Sequence, residues 1–300
     1  MSSPSKFILF ALLASSGELA AKPNAQIDVW QRKGAPGVAA RKDVKAVDLD
    51  ALPAIEIRRP DIQYGGWFSY RGVPLQTVID RYGAPPEADL ALLHFANGMQ
   101  VPYAFRDAAL VKQLDVFVAR GLREAPGAPF TTGTFPSISR PREGFVDVRP
   151  ITFGANKVVV SGRVHPAVPK EAEPTFSPWT HVDSLTGIEL VSSKAYYAQF
   201  DVDASADVRA GLWIFTETCQ FCHGARGVGA AFGWDFVEPV PVYSYHSTKN
   251  LFYHVKYKPL DASARGLLMP ALSHLSEQDA TSVWRWLRAI ATHPMPSYAP

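Results

Sequence analysis

Cys219-Gln220-Phe221-Cys222-His223 holds both thiols of a 300-residue chain. A plain disulfide is awkward across so short a loop. The pair therefore marks a local chemical task around which the rest of the chain must fold. Three chemistries use two thiols at this separation. A thioredoxin-like redox pair wants the motif at a strand-to-helix start. A zinc centre needs further cysteine or histidine ligands at useful spacing. Covalent haem attachment adds the two thiols across the two vinyl groups of a porphyrin and follows the second with a histidine. In that case Gln220 and Phe221 let the backbone turn so that both sulfurs face one ring edge, and His223 ligates the iron. The flanks decide between these.

Upstream, Ala206 to Thr218 (ADVRAGLWIFTET) predicts a helix. Val208, Leu212 and Phe215 give it an apolar side, Ser205 is the expected N-cap, and Asp207 suits the positive end of the helix dipole. Gly211 and Phe215 share a face, and the glycine permits another helix to cross closely. Downstream, Gly224, Gly227, Gly229 and Gly233 predict a flexible loop. Leu267-Leu268-Met269-Pro270 follows. A last helix runs from Ser276 to Ile290. Ser276 with Asp279 resembles a capping box, and Val283, Trp286, Leu287 and Ile290 form one apolar stripe.

Over residues 205–292 these pieces resemble a class I c-type cytochrome. The resemblance implies an all-α domain over 204–300, with its first and last helices crossing at Gly211 and Phe215. It implies one haem c bound covalently to Cys219 and Cys222. His223 and Met269 become the axial ligands of the iron, the methionine being a soft, neutral ligand that raises the potential. It also implies a proline carbonyl, from Pro239 or Pro241, accepting a hydrogen bond from the other nitrogen of His223. His246 and His254 are rival axial ligands, and Met295 lies beyond the last helix. Trp213, Phe215, Phe221, Trp234 and Trp286 could line an apolar pocket or simply pack.

The chain before residue 200 has a mixed pattern. VPLQTVIDRYG from Val73 predicts a short helix ending at Gly83. LALLHFA from Leu90 predicts a strand that pairs with MQVPYAF across an Asn97-Gly98 turn. NKVVVSG from Asn156 predicts another strand. This is an α+β layout. Gly72-Pro74-Leu75, Asn97-Gly98-Met99, Phe117-Val118-Ala119, and Arg149-Pro150 through Lys157-Val158 resemble motifs of the molybdopterin-binding domain of the sulfite oxidase family. The resemblance covers roughly residues 45–162 of an expected domain at 26–162. In that family a cysteine thiolate ligates molybdenum, whereas both cysteines of this chain belong to the haem motif. A metal-free domain is therefore expected, without the molybdenum cofactor. His94, Tyr103 and Arg106 lie near the hairpin and are not taken as a site. Pro166, Pro169, Pro174 and Pro178 predict an extended connector over 163–203. Residues 180–203 could pack on either side of the boundary.

Lys6 followed by Phe7-Ile8-Leu9-Phe10-Ala11-Leu12-Leu13-Ala14 has the form of a secretory signal over 1–21, with Ser16, Ala20 and Ala21 as possible cleavage points. The run is short for a membrane span, so an uncleaved signal would tether the protein. Net charge is +2 with no long basic run, which argues against nucleic acid as a partner. The expected protein is a two-domain periplasmic electron-transfer subunit, passing single electrons to or from a redox enzyme and docking through the front domain. Two alternatives remain: an oxidoreductase whose front domain binds a small substrate, and a haem-based sensor or assembly factor.

Overall fold

Strands dominate the chain up to Val191 and helices dominate after it. A computed structural model describes residues 26–33, 40–61, 66–123, 125–132, 156–160, 184–202, 205–257, 272 and 274–293. The strands of the first part are β1 (Gln26–Lys33), β2 (Ala40–Asp48), β3 (Ile55–Asp61), β4 (Gly66–Pro74), β5 (Leu90–Phe95), β6 (Gln100–Tyr103), β7 (Val116–Arg123), β8 (Thr131–Thr132), β9 (Lys157–Val160) and β10 (Leu185–Val191). Helices α1 (Leu75–Tyr82), α2 (Ala108–Leu114) and α3 (Ser193–Tyr197) lie among them or directly after. The second part holds α4 (Ala206–Ile214), a π turn (Phe215–Cys219), the ribbon β11 (Gly224–Ala225) and β12 (Val228–Gly229), α5 (Thr248–Tyr257) and α6 (Glu277–Thr292).

Local signals are met where they depend on a few residues. Helix α1 ends at Gly83, which adopts φ 82°, a left-handed cap that costs glycine nothing. The β5–β6 turn closes with Gly98 at φ 89°, while Asn97 Oδ1 accepts from the Met99 amide at 3.0 Å. Ser276 and Asp279 form the reciprocal capping box at the start of α6.

One sheet has the order β2-β1-β10-β5-β6, and a second has β3-β4-β7-β8, with β9 also paired to β7. Strand β10 runs parallel to β1 and antiparallel to β5. The apolar run of β5 follows from burial on both faces. Ala91, Leu93 and Phe95 enter a core with Ile27, Val29 and Ile188, which also takes α1 and Val118 of the second sheet. Leu90 and Leu92 face the opposite way and join a core with Phe200, Phe215 and Trp286. In β7 the alternation is equally clean: Val116 and Val118 enter the first core, while Phe117 and Ala119 face outward with Phe68 and Tyr70.

The expected division into an α+β molybdopterin-type domain and a separate all-α cytochrome-type domain is overturned. The front sheet is incomplete without β10, which comes from the stretch expected to be connector. Its far face shares one apolar core with α4, α5 and α6. The C-terminal part contains the β11–β12 ribbon and sends Phe221 into the core of the front part. The result is one mixed α/β arrangement. The physical reason is that Leu90, Leu92 and Val191 leave an apolar sheet face that must be covered, and the C-terminal helices cover it.

Candidate functional site

Helix α4 leads into the thiol motif. Ser205 has extended N-cap backbone geometry, and its hydroxyl donates to Asp207, which also pairs with Arg285 of α6. Gly211 lets α4 and α6 meet: a Cβ there would lie 2.1 Å from the Ser282 carbonyl oxygen and 2.7 Å from Trp286 Cβ. One turn later Phe215 packs on Trp286 with ring centroids 4.6 Å apart. The π turn then widens the helix and ends at Cys219.

Cys219 and Cys222 are both free thiols. The amides of Cys222 and His223 donate to the Cys219 carbonyl at 3.2 and 3.0 Å, so the motif closes on itself as a single tight turn. Burial pushes Cys219 up to about 12, with a smaller push from the neighbouring Cys222. Burial alone pushes Cys222 up to about 11. Both thiols are therefore protonated at neutral pH. They sit where a helix ends, the negative end of its dipole, whereas activated thiolates sit at helix N-termini or beside cations.

His223 is held from three sides. Its Nδ1 donates to the Trp234 carbonyl at 2.7 Å, its ring stacks on Phe236 at 4.4 Å, and Gly233 leaves it room. A Cβ on Gly233 would lie 2.4 Å from His223 Cε1 and 2.6 Å from Nδ1. Asp235 secures the loop by accepting from the amides of Arg226, Gly227, Val237 and Glu238 at 2.7–3.0 Å. The carbonyl that orients His223 is thus Trp234's rather than that of Pro239 or Pro241. Pro241 carbonyl accepts instead from the amide and hydroxyl of Ser244, at 2.9 and 2.7 Å. Pro239 follows a cis peptide in the same loop. Gly233→Ala should therefore push the imidazole out of register and cost about 1–3 kcal/mol. Thermal unfolding measures the loss, and nitrogen-detected NMR of His223 reports whether the Nδ1–H bond survives. An unchanged imidazole signal would count against this geometry.

The other sequence candidates are dispersed. Met269 and the signal segment 1–21 lie outside the described residues. His246 and His254 do come together, with ring centroids 5.6 Å apart, and the His246 carbonyl accepts from Trp284 Nε1 at 2.9 Å. Phe215 and Trp286 belong to the core shared with the sheet, and Phe221 to the core between the sheets. Trp213 and Trp234 are 67% and 71% exposed and line no core. Among the described residues, no three His, Cys, Asp or Glu side chains come together to hold a metal ion.

Sequence reasoning missed a buried charged group on the sheet. Glu189 of β10 is bound by Arg32 through both Nε and Nη2 and by His94 Nε2 at 2.9 Å. Burial alone would raise the Glu189 carboxyl, but the bonds and charges of His94 and Arg32 outweigh it and bring it down to about 2. His94 also lies against Trp30, with ring centroids 5.1 Å apart. Arg32 and Glu189 sit on β1 and β10, far apart in sequence, so no local pattern could pair them.

In comparison with known proteins, no family model and no curated protein sequence matches this chain.

Proposed function

We propose that the protein is a periplasmic monohaem c-type cytochrome that passes single electrons to or from a redox enzyme. The observation that carries this reading is the turn from Cys219 to His223: two free thiols on one turn, followed by an imidazole oriented through Nδ1 by a backbone carbonyl. The residues present fit the group. Both cysteines are free thiols on one turn, available to add to two vinyl groups. Each addition would break one S–H bond and the π bond of one vinyl group and form a C–S and a C–H bond, and nothing leaves.

With Nδ1 bonded to the Trp234 carbonyl, Nε2 is the nitrogen through which His223 would hold the iron. A carbonyl acceptor on the far nitrogen fixes the tautomer and raises the basicity of the ligand. Met269 is the proposed sixth ligand, and residues 1–21 the proposed export signal. When bound, haem supplies a one-electron ferric/ferrous couple. The close crossing of α4 and α6 at Gly211 supports the reading, because it anchors the helix that delivers Cys219. A thioredoxin-like exchange pair is the weaker reading, since both thiols are raised rather than lowered.

The test is chemical. The full-length chain is exported in a host that attaches haem, then denatured and extracted with acidic organic solvent. Pigment should stay with the polypeptide, and Cys219→Ser with Cys222→Ser should abolish that retention. Pigment that extracts freely from the parent chain, or a parent chain with none, ends the proposal. Met269→Ala should separately remove the weak sulfur-ligation band at the red end of the oxidised spectrum.

A further inference from the structure

We infer that Gln100 and Tyr196 are positioning residues for the turn that carries Cys219, Cys222 and His223; what that turn carries rests on the haem reading above. Among the described residues strand β6 is an edge of its sheet, and an edge leaves a row of amides and carbonyls to be satisfied. The thiol motif and the loop after it take that place. The Gln100 amide donates to the Phe221 carbonyl at 3.1 Å, and the Ala231 amide donates to the Gly98 carbonyl at 2.8 Å.

Phe221 lies between the two cysteines, and its carbonyl belongs to the peptide that leads into Cys222. That peptide is gripped twice. The Phe221 side chain, 7% exposed, is inserted into the core between the sheets, and its carbonyl is bonded to the sheet edge. Gln100 is itself buried, and its Oε1 accepts from the Tyr196 hydroxyl at 2.8 Å. Tyr196 is 3% exposed. Its neighbour Tyr197 reaches the other middle residue directly, accepting from Gln220 Nε2 at 3.4 Å. Helix α3 thus acts on both residues between the cysteines, through Gln100 on one and directly on the other. The strand half of the protein serves as the wall that holds the thiol turn.

The experiment uses the full-length chain made without haem. Cys219 is buried and Cys222 partly exposed, so the rate followed is that of Cys219, whose thiol meets a maleimide only when the structure opens. Tyr196→Phe removes one hydroxyl and leaves Gln100 Oε1 buried without its donor. Thiol alkylation should then accelerate about tenfold relative to the parent chain. Gln100→Asn keeps the backbone amide but shortens the side chain, and should act the same way. Leu122→Ala provides the control, because Leu122 packs on the outer face of the second sheet. Rates are compared at equal distance below each variant's unfolding midpoint. Equal acceleration in Tyr196→Phe and Leu122→Ala overturns the inference, since both would then act through general stability. In haem-loaded protein, Tyr196→Phe should also shift the reduction midpoint while Leu122→Ala leaves it in place; an unmoved midpoint likewise overturns it. A chain that never retains pigment yet shows the tenfold thiol effect keeps the positioning role and sinks the haem reading alone.

Discussion

Trp286→Ala is expected to lower the unfolding free energy by about 3–5 kcal/mol. Trp286 is fully buried. It packs on Phe215 at 4.6 Å and Phe200 at 6.5 Å, and its Nε1 donates to the Phe200 carbonyl at 2.9 Å. Truncation removes the largest side chain of that core and leaves the Phe200 carbonyl without its donor. The same core contains Leu90 and Leu92 of the sheet. The loss should therefore lower one common transition. Urea unfolding followed in parallel by far-ultraviolet circular dichroism and tryptophan fluorescence gives the measurement. A drop confined to helical signal, with the strand signal melting at its parent midpoint, would restore the division into independent halves that the structure overturned. Trp286→Phe keeps most of the apolar contact and should recover a large part of the loss.

Arg32→Met is expected to cost about 3–5 kcal/mol at neutral pH, because it leaves a buried carboxylate without its main cation. Glu189 is held at about 2 against an ordinary value of 4.5. A carboxyl lowered by folding binds protons more weakly in the native state than in the unfolded one. Its contribution is therefore complete above about 4.5 and is lost as pH falls toward about 2. Glu189→Gln should flatten that part of the stability profile and lower its neutral plateau. The readout is the unfolding midpoint in denaturant at a series of pH values. Parent and Glu189→Gln curves that run parallel between pH 4.5 and 2 would show that the carboxylate does not carry this dependence.

Features specified within a few residues could be read before any coordinates. Gly83 and Gly98 announced their turns because a positive φ favours glycine. Ser276 and Asp279 announced the start of α6 through their spacing. Gly211 announced a close crossing with the last helix, and the structure added the atoms it meets, the Ser282 carbonyl and Trp286 Cβ. The two thiols with a following histidine were legible as a motif in five letters, and the structure adds that they close on one tight turn.

Long-range partners were beyond that reach. Residues 185–191 sit at the end of a proline-rich stretch and looked like connector, yet they complete a sheet by pairing with β1, whose residue 28 meets 187. A strand buried on both faces has the same apolar run whichever neighbours receive it, so its place is chosen by the surfaces left to cover. The orienting carbonyl for His223 came from Trp234 because every residue owns a carbonyl and side-chain identity does not mark which one will face a ring. The Arg32–Glu189–His94 group likewise exists only once three strands lie side by side. Local backbone preference wrote the turns, caps and chemical motif of this protein into its residue order. Competition among distant surfaces for burial and hydrogen bonds set which strand, carbonyl and charge met.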